Sequence, residues 1–319
     1  MLDLATLRHR ATQSVQDGDP DAAVALLTPA LALYPDLHLD LGNALLAANR
    51  AGEALDCFDA AITLRPRDPA AYRGLGQACL ALGNTAGALA AFRQALAILP
   101  YDTYAAHMVA SLSGETTKGA SAYVANLFDD HAEDFDQHLT QVLHYSIPAE
   151  IAGLLAPYAP QSLLDLGCGT GLVGDALRLP IMDGVDIAPQ MIRLARERNL
   201  YRHLAVGDLV ATLDESSLLA GPYDLVTAAD VFVYLGHLES IFERIAPRLA
   251  PDGLFAFSVE LSDTTPVNLR PSGRFAHAPR YISGLAQDFG FTTLAARDTP
   301  IRHERSQPIP GQLYLLQRL

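Results

Sequence analysis

The sequence predicts a chain in two parts: an all-helical repeat array and, behind it, an α/β domain whose parallel sheet is covered by helices. Three observations carry this expectation. Two segments near the N-terminus superpose at a fixed offset of 34 residues. From about residue 120 onward, short apolar runs alternate with helical patterns. The first of those runs lies in "LLDLGCGTGLVG", residues 163 to 174, and ends in a glycine-rich turn that leads into a helix. A chain of 319 residues, 50% of them apolar, is long enough to bury two cores.

The repeats come first. Leu41, Gly42, Ala54, Phe58, Ala61 and Pro66 recur as Leu75, Gly76, Ala88, Phe92, Ala95 and Pro100. This spacing suits pairs of antiparallel helices: small residues such as Gly42 and Ala54 let two helices approach, Phe58 fills the space between them, and Pro66 stops the second. A weaker copy precedes them, with Ala23, Leu27, Ala30 and Pro35 in the later positions and "DGDPD" as its turn. These residues resemble the tetratricopeptide repeat, which implies a groove. Its inferred lining in the two good copies, Leu39, Asn43, Leu46, Arg73, Gln77 and Leu80, includes a single cation. The array serves either as a packing platform or to capture a peptide of a protein partner.

In the second part the expected strands are "SLLDLG", "MDGVDIA", "HLAVGDL", a stretch within "YDLVTAADVFVYL", and "GLFAFSVE". Between them "GLVGDALR", "PQMIRLARERN" and "LESIFERIAPRLA" carry the helical period. The helix "APRYISGLAQDFG" and two further strands, "FTTLAARDT" and "GQLYLLQRL", complete a sheet of seven. The predicted domain boundaries are 1–110 for the repeats, 111–159 for a helical linker or lid, and 160–319 for the α/β domain.

Gly169, Gly171 and Gly174 have the spacing of a dinucleotide loop, and one glycine earlier the same run reads D-x-G-x-G-x-G. Either ligand needs backbone that turns sharply out of the strand. The acid separates them. Asp165, at the carboxyl end of the first strand, would repel a pyrophosphate resting on the helix N-terminus, by roughly 4 kcal/mol for like charges about 4 Å apart at an effective dielectric near 20. It would suit a cationic ligand carrying an ammonium and a sulfonium. Asp186 ends the second strand, 17 positions after Gly169, where either class of cofactor meets ribose hydroxyls. Asp208, after the third strand, stands where an adenine amino group can be met, with Leu209 as a backbone donor.

Taken together, "LLDLGCGTG", "GVDIAPQMIRLAR" and "RLAPDGLFAF" resemble the motifs of class I S-adenosylmethionine-dependent methyltransferases, over residues from about 160 to 319. The resemblance implies a Rossmann-like seven-stranded sheet with an antiparallel hairpin at its edge, and S-adenosylmethionine as cofactor. It sets Asp165, Gly167, Cys168, Gly169 and Gly171 around the methionine part and Asp186 at the ribose, with Ile187 beside it. Met191 and Asp208 fall at the adenine, and Ala228 and Ala229 beside the sulfonium. In "YVANLFDDHAEDFDQHL", Phe128, His131 and Phe135, then Phe135, His138 and Leu139, recur at three- and four-residue steps, so one helix face carries aromatics and histidines. This segment is similar to a cofactor cap of small-molecule methyltransferases. With the repeats and "PSGRFAHAPRYI", the whole resembles a group of bacterial tetratricopeptide-repeat methyltransferases.

The implied activity is methyl transfer to a small molecule; the alternatives are a protein or peptide acceptor recruited by the repeats and a non-catalytic adaptor. Transfer of this kind needs alignment and exclusion of water more than a dedicated nucleophile. Where the acceptor must lose a proton, Asp230, His131 and His277 are the candidate bases. Phe128, Phe135 and His138 are candidate substrate contacts. So are Arg270 and Arg274 of "RPSGRFAH", on an expected loop where a guanidinium fork would suit a carboxylate.

Composition narrows the partners. Lys and Arg number 22 against 36 for Asp and Glu, a net charge of −14 that repels nucleic acid and anionic membranes. Cys57, Cys79 and Cys168 are too few and scattered for a disulfide framework or a zinc site. The steps of seven and six between His131, His138 and His144 miss the i, i+4 face of a two-histidine metal helix, so no metal is expected. Lys118, the sole lysine, stands outside any P-loop context. No apolar run approaches the length of a signal peptide or the ~20 residues of a membrane span, and a cytoplasmic location is expected.

Overall fold

The computed structural model describes residues 3–113, 118–129, 132–263, 265–304 and 307–319. The chain divides into two compact units: Met1–Tyr123 with Arg270–Gly273, and Val124–Leu269 with Arg274–Leu319. The division differs from the boundary expected at residue 110. It falls inside one helix, so that the segment 111–159 is shared between the units rather than forming a linker of its own.

The first unit is built from helices α1 (Leu4–Gln16), α2 (Pro20–Leu27), α3 (His38–Ala47), α4 (Ala51–Leu64), α5 (Pro69–Ala81), α6 (Thr85–Ile98) and α7 (Thr103–Ser113), with the start of α8 (Lys118–Asp129). Side chains set several of the helix starts: Asp3, Asp19, Asp68 and Asn84 each accept a backbone N–H of the first turn, and Pro20 and Pro69 sit where a missing N–H does no harm. The 34-residue pattern is a rule of size. The buried Phe58 ring lies between Gly42 and Gly74: a methyl at Gly42 would come within 2.7 Å of it, and one at Gly74 would overlap it. Phe92 stands against Gly76 in the same way, again at 2.7 Å. The weak first copy is the pair α1 and α2, whose Leu7, Ala23 and Leu27 join the core of Leu41 and Phe58.

Residues 270–273 belong to this unit through main-chain carbonyls. Tyr104 donates its hydroxyl to Pro271 at 2.9 Å. His107, buried and stacked on Tyr123, donates from Nε2 to Gly273 at 2.7 Å.

The second unit carries strands β1 (Ser162–Leu166), β2 (Ile181–Asp186), β3 (His203–Val206), β4 (Tyr223–Ala228), β5 (Leu249–Leu261), β6 (Val267–Leu269), β7 (Phe275–His277), β8 (Phe291–Glu304) and β9 (Gln307–Arg318). Their order is β3-β2-β1-β4-β5-β7-β6, with β9 antiparallel to both β5 and β8. Among the described residues the sheet therefore has nine strands where seven are predicted. The two extra ones, β6 and β7, are three residues each, too short to leave a periodic signal, and lie in and beside the stretch expected to be a loop. After the end of α8 come α9 (Phe135–Gln137), α10 (Ile147–Leu155), α11 (Leu172–Leu177), α12 (Pro189–Glu197), α13 (Leu209–Glu215), α14 (Glu239–Ile245) and α15 (Pro279–Asp288).

Strands β1, β4 and β5 carry apolar residues on both faces because both faces are buried. Leu164, Leu166, Val226, Phe255 and Phe257 face Phe232, Phe242 and Phe291. Leu163, Leu225, Leu254 and Ala256 share the other core with Ile147, Ile151 and Met182. Among the described residues no helix is long and apolar enough to cross a membrane.

Candidate functional site

The site is organised by the turn that follows β1. Gly167, Gly169 and Gly171 have φ of +63°, +53° and +98°, a left-handed conformation that glycine adopts without strain. At Gly167 there is a second requirement, since a side chain would overlap Val231. Gly171 is the residue that caps α11.

Asp165 is held inside the sheet by two hydroxyls. Strand alternation turns it inward, where it is 1% exposed and its two oxygens accept from hydroxyls: Oδ1 from Thr227 and Oδ2 from Tyr201, each at 2.7 Å. Thr227 is its partner across the β1–β4 ladder. Burial pushes the Asp165 carboxyl up to about 6 against the pull of these two donors. The acid acts on the loop from beneath. Tyr201 also lies against Gly171 and Gly174, so one ring holds both the acid and the turn.

Asp186, at the end of β2, ties that strand to the loop. Its Oδ2 accepts the Gly169 N–H at 2.8 Å and its Oδ1 the Ala188 N–H at 2.9 Å. Burial raises its pKa, and the two backbone donors oppose the rise. Ile187 beside it is half-buried. Asp208 caps α13, accepting the N–H groups of Val210 and Ala211 at 3.0 and 3.2 Å, and Leu209 opens that helix, where an N–H has no intrahelical partner. Ala228 is buried in the core, and Ala229 packs at the edge of the opposite one. Cys168 is buried and its thiol is pushed well above its ordinary pKa by burial, so it is inert.

The aromatic segment comes to this site in part. Phe128 and Phe135 meet edge to face, 5.7 Å between centroids, and pack with Ala132 on Met191 and Ala188. Phe128 also meets Tyr234 at 5.5 Å. Polar ties hold the segment. Asp129 accepts the Gln190 N–H at 2.9 Å, Glu133 pairs with Arg193, and Asp136 accepts from Thr170 and Arg198. His138 is exposed. It is the first residue of the π turn His138–Val142, in which Leu139 is the buried side chain. His131 lies outside the described residues.

Asp230, just past β4, has a partner the sequence did not disclose. Arg302 of β8, 2% exposed, donates from Nη1 to both Asp230 oxygens at 3.0 and 3.1 Å, from Nη2 to Glu260, and from Nε to Glu304 at 2.9 Å. Asp230 is raised in pKa by burial, against the pull of Arg302. Its backbone, at φ +57°, is held by the Ser258 hydroxyl, which accepts the Asp230 N–H at 2.8 Å. Period-two spacing of Arg302 and Glu304 on an exposed-looking strand was the one available signal.

The two candidate substrate arginines part company. Arg274 pairs with Glu304 and lies 5.9 Å from the Tyr234 ring centre, whereas Arg270 belongs to the first unit. His277 is a correction of another kind. It is not on a loop but on β7, fully buried, with Nε2 donating to the Gly236 carbonyl at 2.9 Å and the ring stacked on Tyr281; burial lowers its pKa. In the repeats, Arg73 pairs with Asp102 and Gln77 donates to the Tyr104 hydroxyl. Among the described residues no group of three or more His, Cys, Asp or Glu could hold a metal ion.

Residues 164–255 match a family model described as a methyltransferase domain, and residues 39–103 and 14–62 match two models of tetratricopeptide repeats. The chain is 34% identical over 161 residues to the malonyl-[acyl-carrier protein] O-methyltransferase of Geobacter sulfurreducens, covering 48% of this chain and 58% of that one. It is 28% identical over 141 residues to the ubiquinone biosynthesis O-methyltransferase of Bordetella avium, covering 43% and 57%. The chain thus spans less than two thirds of the length of either relative. Among solved structures, magnesium protoporphyrin IX methyltransferase of Synechocystis PCC 6803 with bound SAH aligns with a TM-score of 0.48 at 16% identity, over 63% of this chain and 100% of that one.

Proposed function

We propose, from the premise that the chain belongs to the class I S-adenosylmethionine-dependent methyltransferases with N-terminal tetratricopeptide repeats, that it methylates a small molecule. The observation that carries the reading is the tie between Asp186 and the glycine turn. A carboxylate at the end of β2, fixed by the Gly169 and Ala188 N–H groups, keeps lone pairs for the two hydroxyls of a ribose directly beside the turn.

S-adenosylmethionine supplies a methyl group that its sulfonium has already made electrophilic. The residues that would hold it are Asp186 with Ile187 at the ribose, Met191, Asp208 and Leu209 at the adenine, the run from Gly167 to Gly171 at the methionine part, and Ala228 and Ala229 at the sulfonium side. Asp165 supports the turn through Tyr201 and Thr227. Phe128 and Phe135, packed on Met191, exclude water from this end of the sheet. Asp230 is the candidate base for an acceptor that must lose a proton. Of the two arginines offered to a carboxylate-bearing acceptor, Arg270 and Arg274, the second pairs with Glu304. Recruitment of a peptide by the repeats is the alternative, tested by whether the isolated acceptor peptide is bound without cofactor.

The test is calorimetric titration of the full chain with S-adenosylhomocysteine beside NAD. Binding of the first alone supports the reading, and at a hundredfold excess over Kd it should add about 2.7 kcal/mol to stability. Binding of NAD alone sinks it.

A further inference from the structure

Thr170, between Gly169 and Gly171 in the turn after β1, is buried, and its hydroxyl donates to Asp136, 34 residues away in sequence. Asp136 lies in α9, within the aromatic segment. Its other oxygen pairs with Arg198, which caps the C-terminal end of α12. Arg198 closes the ring, since its Nε donates to the Thr170 carbonyl at 2.6 Å. One carboxylate and one guanidinium thus grip a single residue of the turn by its side chain and its main chain. The same segment is fastened a second time, where Phe128, Ala132 and Phe135 pack on Met191 and Ala188. The two grips differ in kind. The second is apolar packing, whereas Asp136, Thr170 and Arg198 line a cleft of about 280 Å³. The Arg198 and Asp136 side chains are 27% and 38% exposed. Water that enters such a cleft can take over the bonds of all three groups, so the polar grip opens at a small cost and closes again.

We propose that Asp136 is a latch: by holding Thr170 and Arg198 it fastens the aromatic segment to the glycine turn, and its release sets the rate at which cofactor enters and product leaves. The inference rests on the methyltransferase reading, which assigns the methionine part to the turn and the adenine to Met191. A cofactor between those two points is then covered by a segment fastened at both. The bonds of the latch run from protein group to protein group, so they are made with and without cofactor. Opening is therefore required equally for entry and for exit. A latch of that kind governs the rate in both directions and leaves affinity alone, because it favours neither the free nor the bound state. A residue that touches the ligand acts mainly on dissociation instead. Kinetics of exchange thus separate the two roles.

The experiment follows S-adenosylhomocysteine on and off the immobilised full-length chain by surface plasmon resonance, for the wild type, Asp136→Asn, Thr170→Val and the double variant. Valine keeps the branched shape of the buried side chain and removes only the hydroxyl donor. Each single variant should raise the association and dissociation rate constants together, about five- to tenfold, with Kd within about threefold. The double variant should be no more than about twofold faster than the faster single one, since both changes cut the same Thr170–Asp136 bond. Glu133→Gln removes an exposed ion pair that the same segment makes with Arg193, and should leave both rate constants within about twofold. Unchanged rates in Asp136→Asn and Thr170→Val overturn the inference. So does a loss of affinity carried by dissociation alone, which would make these residues cofactor contacts, and so does equal acceleration in Glu133→Gln. Should one variant fail to fold, the other carries the test, because the two cut one bond from opposite ends. Failure of the wild type to bind S-adenosylhomocysteine at all removes the methyltransferase reading, and this inference with it.

Discussion

Replacing Asp165 by asparagine should stabilise the protein at neutral pH even though the carboxylate accepts two hydrogen bonds. Asp165 is 1% exposed, and burial carries its carboxyl from the ordinary 3.8 up to about 6, despite the Tyr201 and Thr227 hydroxyls. An acid whose folded pKa lies above its unfolded one binds more protons in the native state across that window. Stability therefore falls as pH rises from about 4 to about 6 and stays at the lower level above it. At 1.36 kcal/mol per pH unit, ionised Asp165 costs about 3 kcal/mol at pH 7.5. Asparagine removes the charge at nearly the same shape, but its amide nitrogen faces one of the two hydroxyls, which must turn to accept, at a cost of about 1 kcal/mol. The net gain is about 2 kcal/mol, or about 4–8 °C in the unfolding midpoint of a domain of this size. Scanning calorimetry of both proteins at pH 4, 6 and 7.5 cancels the titration of every shared group. The gap should be widest at pH 7.5 and close toward pH 4. A variant no more stable than the wild type at pH 7.5, or a gap that widens on acidification, refutes the reasoning.

Three further outcomes are expected. Gly74→Ala should lose about 1–3 kcal/mol in thermal unfolding because its methyl overlaps Phe58, while Gly52→Ala, with nothing within 4 Å, should be neutral or gain about 0.5–1 kcal/mol of helix propensity. Arg302→Met leaves Asp230, Glu260 and Glu304 without their shared cation and should cost about 3–5 kcal/mol, read as a lower urea midpoint at unchanged m. Asp186→Asn turns an N–H group toward that of Gly169 or Ala188, so calorimetry should find S-adenosylhomocysteine bound at least about tenfold more weakly, with little change in the apoprotein's secondary structure.

The legible features were those carried by neighbours in sequence. The 34-residue repeat could be read because the clash it avoids, a ring against Gly42 in one copy and against Gly76 in the next, recurs at that spacing. The turn after β1 could be read because the need for positive φ selects glycine residue by residue. β6, β7 and α13 went unread because three to seven residues carry too little pattern.

What the sequence by itself determined is the order of the parts, the sheet's parallel core, the turn and the acids at strand ends, since each rests on periodicity or on the conformational demands of single residues. Only the tertiary structure decided what those acids face. Asp165 meets Tyr201 from 36 residues away and Thr227 from 62, and Asp230 meets Arg302 from 72. No local pattern records such pairs, because they come from the sheet's crossovers and the return of β9 onto β5. Burial then converts a row of carboxylates that look alike in sequence into an acid held by two hydroxyls, an acid tied to the backbone of the turn and an acid held by an arginine.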